Sequence, residues 1–553
     1  MNVTGLPTIH IPTIQVLRAV LLLAVALGAG AVFGQGHTLW QHGGVKLCGT
    51  SSEDPVLATS DSAGGAIVVW HDSRQSSGGI YAQRVDAAGV PLWTEDGVLL
   101  RYPAADGYRG FSDDGRHGAL VAWSDGPLAV QRVSAEGVPL WGSQGLELRP
   151  SIHLLIHMPS IVRDGHGGAI VVWNAFAYFN HQADTLLACR VDSSGTKLWE
   201  TVVRIDTMFA SPSLCPDGLG GVIITWYEYS GYSGHWAVRA QRVDSAGAIK
   251  WYASGVPLCT LTTVQYSMEC VEVGGSCFVA GWLDGGGGSY RYRAQMLDLA
   301  GDRLRGLTGV PVTGTSYSSL GGIGLPTNDR GQSIWLWSEN RTGTTDLFAQ
   351  KLDLAGIRGW DSTGVWLGTV DTSGGQLSAT VDGRGGAIAA WILYRSRLNW
   401  DIYAQHVDSA GHLCWSDTGL AVCAGDNNVL SPVAVSDGDG GAIISWLDDR
   451  GLYAQRVADG AGVMETPNAG VRATNTGPTV VGGVLFLPGD RGPRTGDRAA
   501  LHDVAGREVL DLKPGANDVR ALAPGVYFVR SEPSAVGRHQ GRGDEVAGEE
   551  SRE

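Results

Sequence analysis

The stretch DGHGGAIVVW, residues 164–173, reads as a tight turn running into a strand, and it recurs along the chain. DGLGGVIITW ends at Trp226, DGRGGAIAAW at Trp391 and DGDGGAIISW at Trp446, with weaker copies ending at Trp70, Trp123, Trp282 and Trp337. Successive Trp lie 53, 50, 53, 56, 55, 54 and 55 residues apart, which makes eight copies of a unit near 54 residues. A fixed period of this size is the mark of a repeat architecture.

Each unit resolves into four short strands. Pro-Ser-Ile-Val-Arg before Asp164 and Ala-Ile-Val-Val-Trp after Gly168 are β-rich runs joined by Asp-Gly-x-Gly-Gly. Glycine accepts the positive φ of a hairpin turn, and Asp bonds its own backbone there. A third run follows, YAQRVD from Tyr81, AQRVD from Ala240, FAQKLD from Phe348 and YAQHVD from Tyr403. The fourth carries a second Trp, at 93, 141, 199, 251, 360 and 415, with Arg305 in its place in one copy. Four antiparallel strands per unit with no helical period predict an all-β chain built of propeller blades.

The phase of the repeat predicts how the ring closes. After Val457 no fourth-strand block follows, but one stands at the other end, Thr38-Leu-Trp-Gln-His-Gly-Gly-Val-Lys-Leu-Cys48. The N-terminal strand therefore completes the last blade of an eight-bladed β-propeller spanning 38–465, hiding edges that would otherwise pair with other chains.

Fifteen of the nineteen Trp occupy the two repeat positions and are expected in the core. Trp236, Trp335, Trp366 and Trp400 lie outside them and are the candidates for a ligand-stacking surface. Asp437 and Asp439 in DGDGG are the best candidates for calcium, which takes six to eight oxygen ligands; the glycines alone also account for the turn. No other cofactor is called for. The formal charge of −15 argues against nucleic acid as a partner, and a monomer is expected.

Residues 1–34 read as an export signal, with Arg18 before an apolar run from Ala19 to Phe33 and cleavage before Gln35. No other segment is apolar enough to cross a membrane as a helix. Among the eight Cys, Cys48, Cys259 and Cys423 share a repeat position with Leu100, which marks them as small buried hydrophobes. Cys270 and Cys277 flank a hairpin turn and are the candidates for a disulfide.

Composition shifts after Thr466. Three strand-like runs follow, from Ala499, Leu512 and Leu522, and residues 466–533 read as a small β-sandwich before a polar tail at 534–553 that looks disordered. Asp503, Gly506, Arg507, Gly515, Asn517, Leu522, Pro524, Gly525, Val526 and Tyr527 match a pattern of a strand ending in a Gly-Arg turn, a Gly-Xaa-Asn turn and Leu-x-Pro-Gly-Val-Tyr. This segment resembles the type A C-terminal sorting domain of the bacterial type IX secretion system. The resemblance implies a cargo recognised by that secretion machinery and carried to the outer-membrane surface or released. The propeller repeats are similar to those of secreted bacterial proteins bearing such tails.

Motifs for acyl transfer, zinc proteolysis, phosphate binding and dithiol chemistry are missing. The leading expectation is a non-catalytic propeller that binds an extracellular glycan or protein through its loops. The alternatives are a polysaccharide- or glycoside-active enzyme on the same scaffold, with a carboxylate pair at the channel, and a structural surface component.

Overall fold

A computed structural model of the chain describes residues 36–49, 52–74, 78–103, 109–124, 127–148, 155–176, 184–206, 209–230, 235–273, 277–286, 289–314, 320–324, 331–340, 344–370, 376–396, 399–425 and 428–459, and six strands between 479 and 532. The described residues are all-β, with no helix. Eight antiparallel sheets follow one another in chain order as the blades of a propeller. Blade 1 is Ser52–Ser60, Ala66–Asp72, Gly79–Val85 and Val98–Arg101, from the channel outward. Blades 2 to 7 repeat this order within 109–148, 155–206, 209–257, 264–311, 320–370 and 377–423.

Blade 8 has Leu430–Ser436, Ala442–Asp448 and Gly451–Ala458 from the C-terminal end of the ring. Its outer strand comes from the N-terminus, as His37–Thr38 and Val45–Cys48. His37 lies opposite Ala458, Val45 opposite Ala454 and Cys48 opposite Leu452. The innermost strand of blade 8 packs against those of blades 7 and 1, so the ring is closed.

The core is divided among the seams. One apolar cluster sits between each pair of adjacent blades, including Trp40, Leu47, Val56 and Trp70 against Val435, Ile443 and Leu447 where blade 8 meets blade 1. All eight strand Trp are almost completely buried. Each has a reason to be where it is. The Trp70 ring edge fills the space above Gly97, where an added Cβ would lie 2.5 Å from it, and the same Trp-on-Gly packing recurs at Gly145, Gly255 and Gly364.

Cys270 and Cys277 correct one expectation. They belong to neighbouring strands, but Cys270 lies opposite Ala280 and Cys277 opposite Val273. Cys270 points into the seam with blade 4 and Cys277 into the seam with blade 6, so the sheet separates the two thiols. Cys48, Cys259 and Cys423 are buried, as expected of small hydrophobes, and burial pushes the Cys423 thiol up to about 11.

The chain divides into two compact units, Met1–Gly462 and Val463–Glu553. In the second, Thr479–Val481, Val484–Leu487 and Gly515–Asp518 form one three-stranded sheet, and Glu508–Leu512, Arg498–Asp503 and Tyr527–Glu532 form another. Residues 1–34, where an export signal is expected, lie outside those described. No helix of the described residues is long and apolar enough to cross a membrane.

Candidate functional site

Most repeated polar side chains are committed to holding the ring together. Gln131, fully buried, accepts from Trp141 N–H at 2.9 Å and donates to the Gly142 carbonyl at 2.6 Å. Gln83, Gln241, Gln350, Gln405 and Gln455 clip the same turn in other blades. Asp164 caps its turn by accepting from His166 N–H at 2.8 Å and Gly168 N–H at 2.7 Å, and its other oxygen accepts from Arg190 Nε at 2.9 Å. Arg190 then reaches the Ser245 carbonyl of the next blade at 2.9 Å, the same carbonyl that accepts from Trp199 Nε1 at 3.0 Å. Asp61, Asp114, Asp217 and Asp437 hold Arg84, Arg132, Arg242 and Arg456 in the same way. Burial raises the Asp164 carboxyl, but the His166 and Gly168 N–H groups and the Arg190 guanidinium outweigh it and hold the group below the usual carboxylate value.

This geometry speaks directly to the calcium candidates. One Asp437 oxygen accepts from Asp439 N–H and Gly441 N–H, both at 2.8 Å, and the other accepts from Arg456 Nε at 2.8 Å. Asp439 is exposed and faces Arg456 at 3.7 Å and Arg384 at 3.9 Å. Arginine takes the place a cation would need, so the hairpin explanation accounts for these residues.

Function is therefore to be sought among side chains that the repeat does not require. The innermost strands of blades 2, 3 and 4 border an open cavity of about 470 Å³ lined by Gly110, Ser112, Asp113, Ser160, Arg163 and Ser213, among others. A second hollow of about 380 Å³, lined by Asp114, Arg116, Arg163 and Gly167 among others, lies on the face that carries the Asp-Gly turns. Arg163 borders both. It pairs with Asp113 across the seam of blades 2 and 3 while remaining 45% exposed, so its guanidinium is available to a ligand at little cost. Ser160 donates to the Pro212 carbonyl at 3.0 Å and Ser213 accepts from Cys270 N–H at 3.0 Å, which fixes the cavity wall blade to blade. Gly110 permits the closest approach, since a Cβ there would lie 2.7 Å from the Pro159 carbonyl oxygen. Among the described lining residues of this cavity there is one carboxylate, Asp113, and it is already paired.

The four non-repeat Trp do not converge on this cavity. Trp335 is fully buried between blades 5 and 6, where its ring fills the space left by Gly281 and its Nε1 donates to Ser333 Oγ at 2.9 Å. It presents no face to a ligand, which corrects its candidacy. Trp236 is half-buried between Tyr227 and Tyr229, with ring centroids 5.3 Å from each. Trp400 is half-buried against Tyr394 at 4.9 Å. Both stand near the start of a third strand, at the end of the blade opposite the Asp-Gly turns. Trp366, 38% exposed, sits on the outer strand of blade 6. Sequence reasoning missed Arg163 and Asp113 because each stands one residue before a turn Asp, at a position without a repeated identity.

In the second unit, Asp503 ends one strand opposite Tyr527 at the start of another, and Gly515 and Asn517 share a third. Gly506, Arg507, Leu522, Pro524, Gly525 and Val526 lie outside the described residues.

No protein-family model and no curated protein matches the chain. Among solved structures it is similar to a puromycin hydrolase at 14% identity, over 74% of this chain and 61% of that one, with a TM-score of 0.41. It is similar to the polysaccharide lyase Uly1 at 7% identity, over 78% and 94%, with a TM-score of 0.37. It is also similar to the GH93 α-L-arabinofuranosidase of Fusarium graminearum at 8% identity, over 76% and 98%, with a TM-score of 0.34. These likenesses concern the fold and carry no argument about activity.

Proposed function

We propose that the chain is a secreted or surface-displayed bacterial propeller that binds an extracellular glycan at the channel cavity of blades 2 to 4, without cleaving it. The observation that carries this reading is the cavity bordered by Arg163. Its volume suits a few sugar units, serines, glycines and backbone edges offer the hydrogen bonds that hydroxyl groups seek, and Arg163 with Arg116 supplies a fork for the carboxylate of an acidic sugar. Hydrolysis by general acid and base asks for two carboxylates flanking the bond; among the described residues lining the two hollows, Asp113 and Asp114 are each already paired with an arginine, Arg163 and Arg132, which favours binding instead.

Export belongs to the same proposal. The apolar leader at 1–34 and the sorting-like residues around Asp503, Gly515, Asn517 and Tyr527 support passage through the type IX secretion machinery, with the second unit as its recognition element. The test of export is expression of the full chain in a bacterium that has this machinery, with and without residues 463–553. Surface or medium localisation that depends on those residues supports the reading; equal localisation without them overturns it. The test of binding is titration of acidic and neutral polysaccharides with the full chain and with Arg163→Ala. Loss of at least tenfold in affinity in the variant is expected. Appearance of cleaved products would transfer the chain to the enzymes.

A further inference from the structure

In six blades the third strand carries a cation that reaches across the seam, namely Arg84, Arg132, Arg190, Arg242, Lys351 and Arg456. Blade 7 carries His406 there instead. The residue before the fourth-strand Trp is Leu92, Leu140, Leu198 or Leu39 in four other blades, and in blade 7 it is Cys414. Ala87, Ala135, Ser245, Leu299 and Ser409 receive the cation from the preceding blade on their carbonyls, and the equivalent position at the end of blade 8 is Asp459, whose carboxylate faces His406. Three departures from the repeat, each to a metal-ligating side chain, thus occur at positions that the fold brings together. Ligand atoms of His406, Cys414 and Asp459 all lie within 4.8 Å of one another.

From this convergence we infer that His406, Cys414 and Asp459 form a zinc site that fastens the end of blade 8 to blade 7. An imidazole nitrogen, a thiolate and a carboxylate are ligands zinc accepts together, and a fourth position is left for water. The surroundings have the arrangement metal ligands require. Nε2 of His406 lies 3.0 Å from Asp382 Oδ2, so a carboxylate holds the ring with Nδ1 turned to Asp459, 2.8 Å away. Trp415 Nε1 donates to the Asp459 oxygen at 2.7 Å and orients it. His406 is buried, while Cys414 and Asp459 reach the surface and give an ion its entry.

Binding uses the Cys414 thiolate and an unprotonated Nδ1 of His406, and any proton that those atoms carry passes to solvent as the ion enters.

The test is calorimetric titration of zinc chloride into the chelator-stripped full chain, with cobalt(II) absorption as the second readout. One zinc per chain is expected, with affinity falling at least tenfold in Cys414→Ser and a cobalt–thiolate band present in the parent and absent in that variant. His406→Arg restores the residue used by five other blades, keeps its partner Asp382, and is expected to fold normally but lose zinc. Equal zinc binding by the parent and His406→Arg overturns the inference, as does the lack of a thiolate band in the parent.

Discussion

The repeated glycines and carboxylates act one residue at a time, and each can be tested so. Gly97 has φ +90° and lies under the Trp70 ring edge, so Gly97→Ala combines backbone strain with overpacking. The variant is expected to lose about 2–4 kcal/mol of stability, read from the denaturant midpoint; an unchanged midpoint contradicts the packing described. Asp164 gives a pH signature. Its folded pKa is depressed, so its contribution is fully present above the unfolded value of about 3.9 and is lost as pH falls through the folded value. Asp164→Asn should cost about 1–3 kcal/mol near neutrality, and the gap between variant and parent should shrink progressively below pH of about 4. These positions were legible because most of the eight units repeat them. Trp335 was misjudged for the opposite reason: it occurs once, yet it stands two residues from Trp337 on one strand, and alternation alone puts both rings on the same buried face.

Among the elements, the N-terminal strand has the largest leverage. Legibility was high here, because the repeat begins one strand out of phase and the missing block at one end is supplied at the other. The strand supplies both the ladder to Gly451–Ala458 and three buried side chains, Trp40, Leu47 and Cys48, to the closing seam. Deleting residues 36–48 should remove about 5 kcal/mol or more, comparable to the entire stability of many domains. A truncated chain that melts with the parent contradicts ring closure by this strand. The disulfide expectation failed at this same scale. A hairpin between Cys270 and Cys277 says the residues are near in the ladder, but their register, three positions apart on opposite faces, is set by where the turn falls and could not be read from spacing.

For the molecule as a whole, seam cores that engage every blade predict one cooperative unit, and the division after Gly462 predicts independence of the second unit. A chain ending at residue 462 should therefore keep the melting temperature of the propeller within about 2 °C, monitored by Trp fluorescence; a large drop contradicts that independence. The architecture was legible because Trp and Gly recur with the blades. The cavity was not, because Gly110, Asp113, Ser160, Arg163 and Ser213 come from three blades and acquire a common purpose only when the innermost strands meet at the channel. A rigid ring that commits its repeated residues to its own closure leaves ligand recognition to such unrepeated ones. The most direct measurement is binding of the full chain and of Arg163→Ala to a panel of acidic and neutral polysaccharides, with each hit assayed for chain cleavage. Binding of an acidic glycan without products, weakened at least tenfold in the variant, is the outcome predicted here; binding that ignores the substitution, or products released from the glycan, contradicts it.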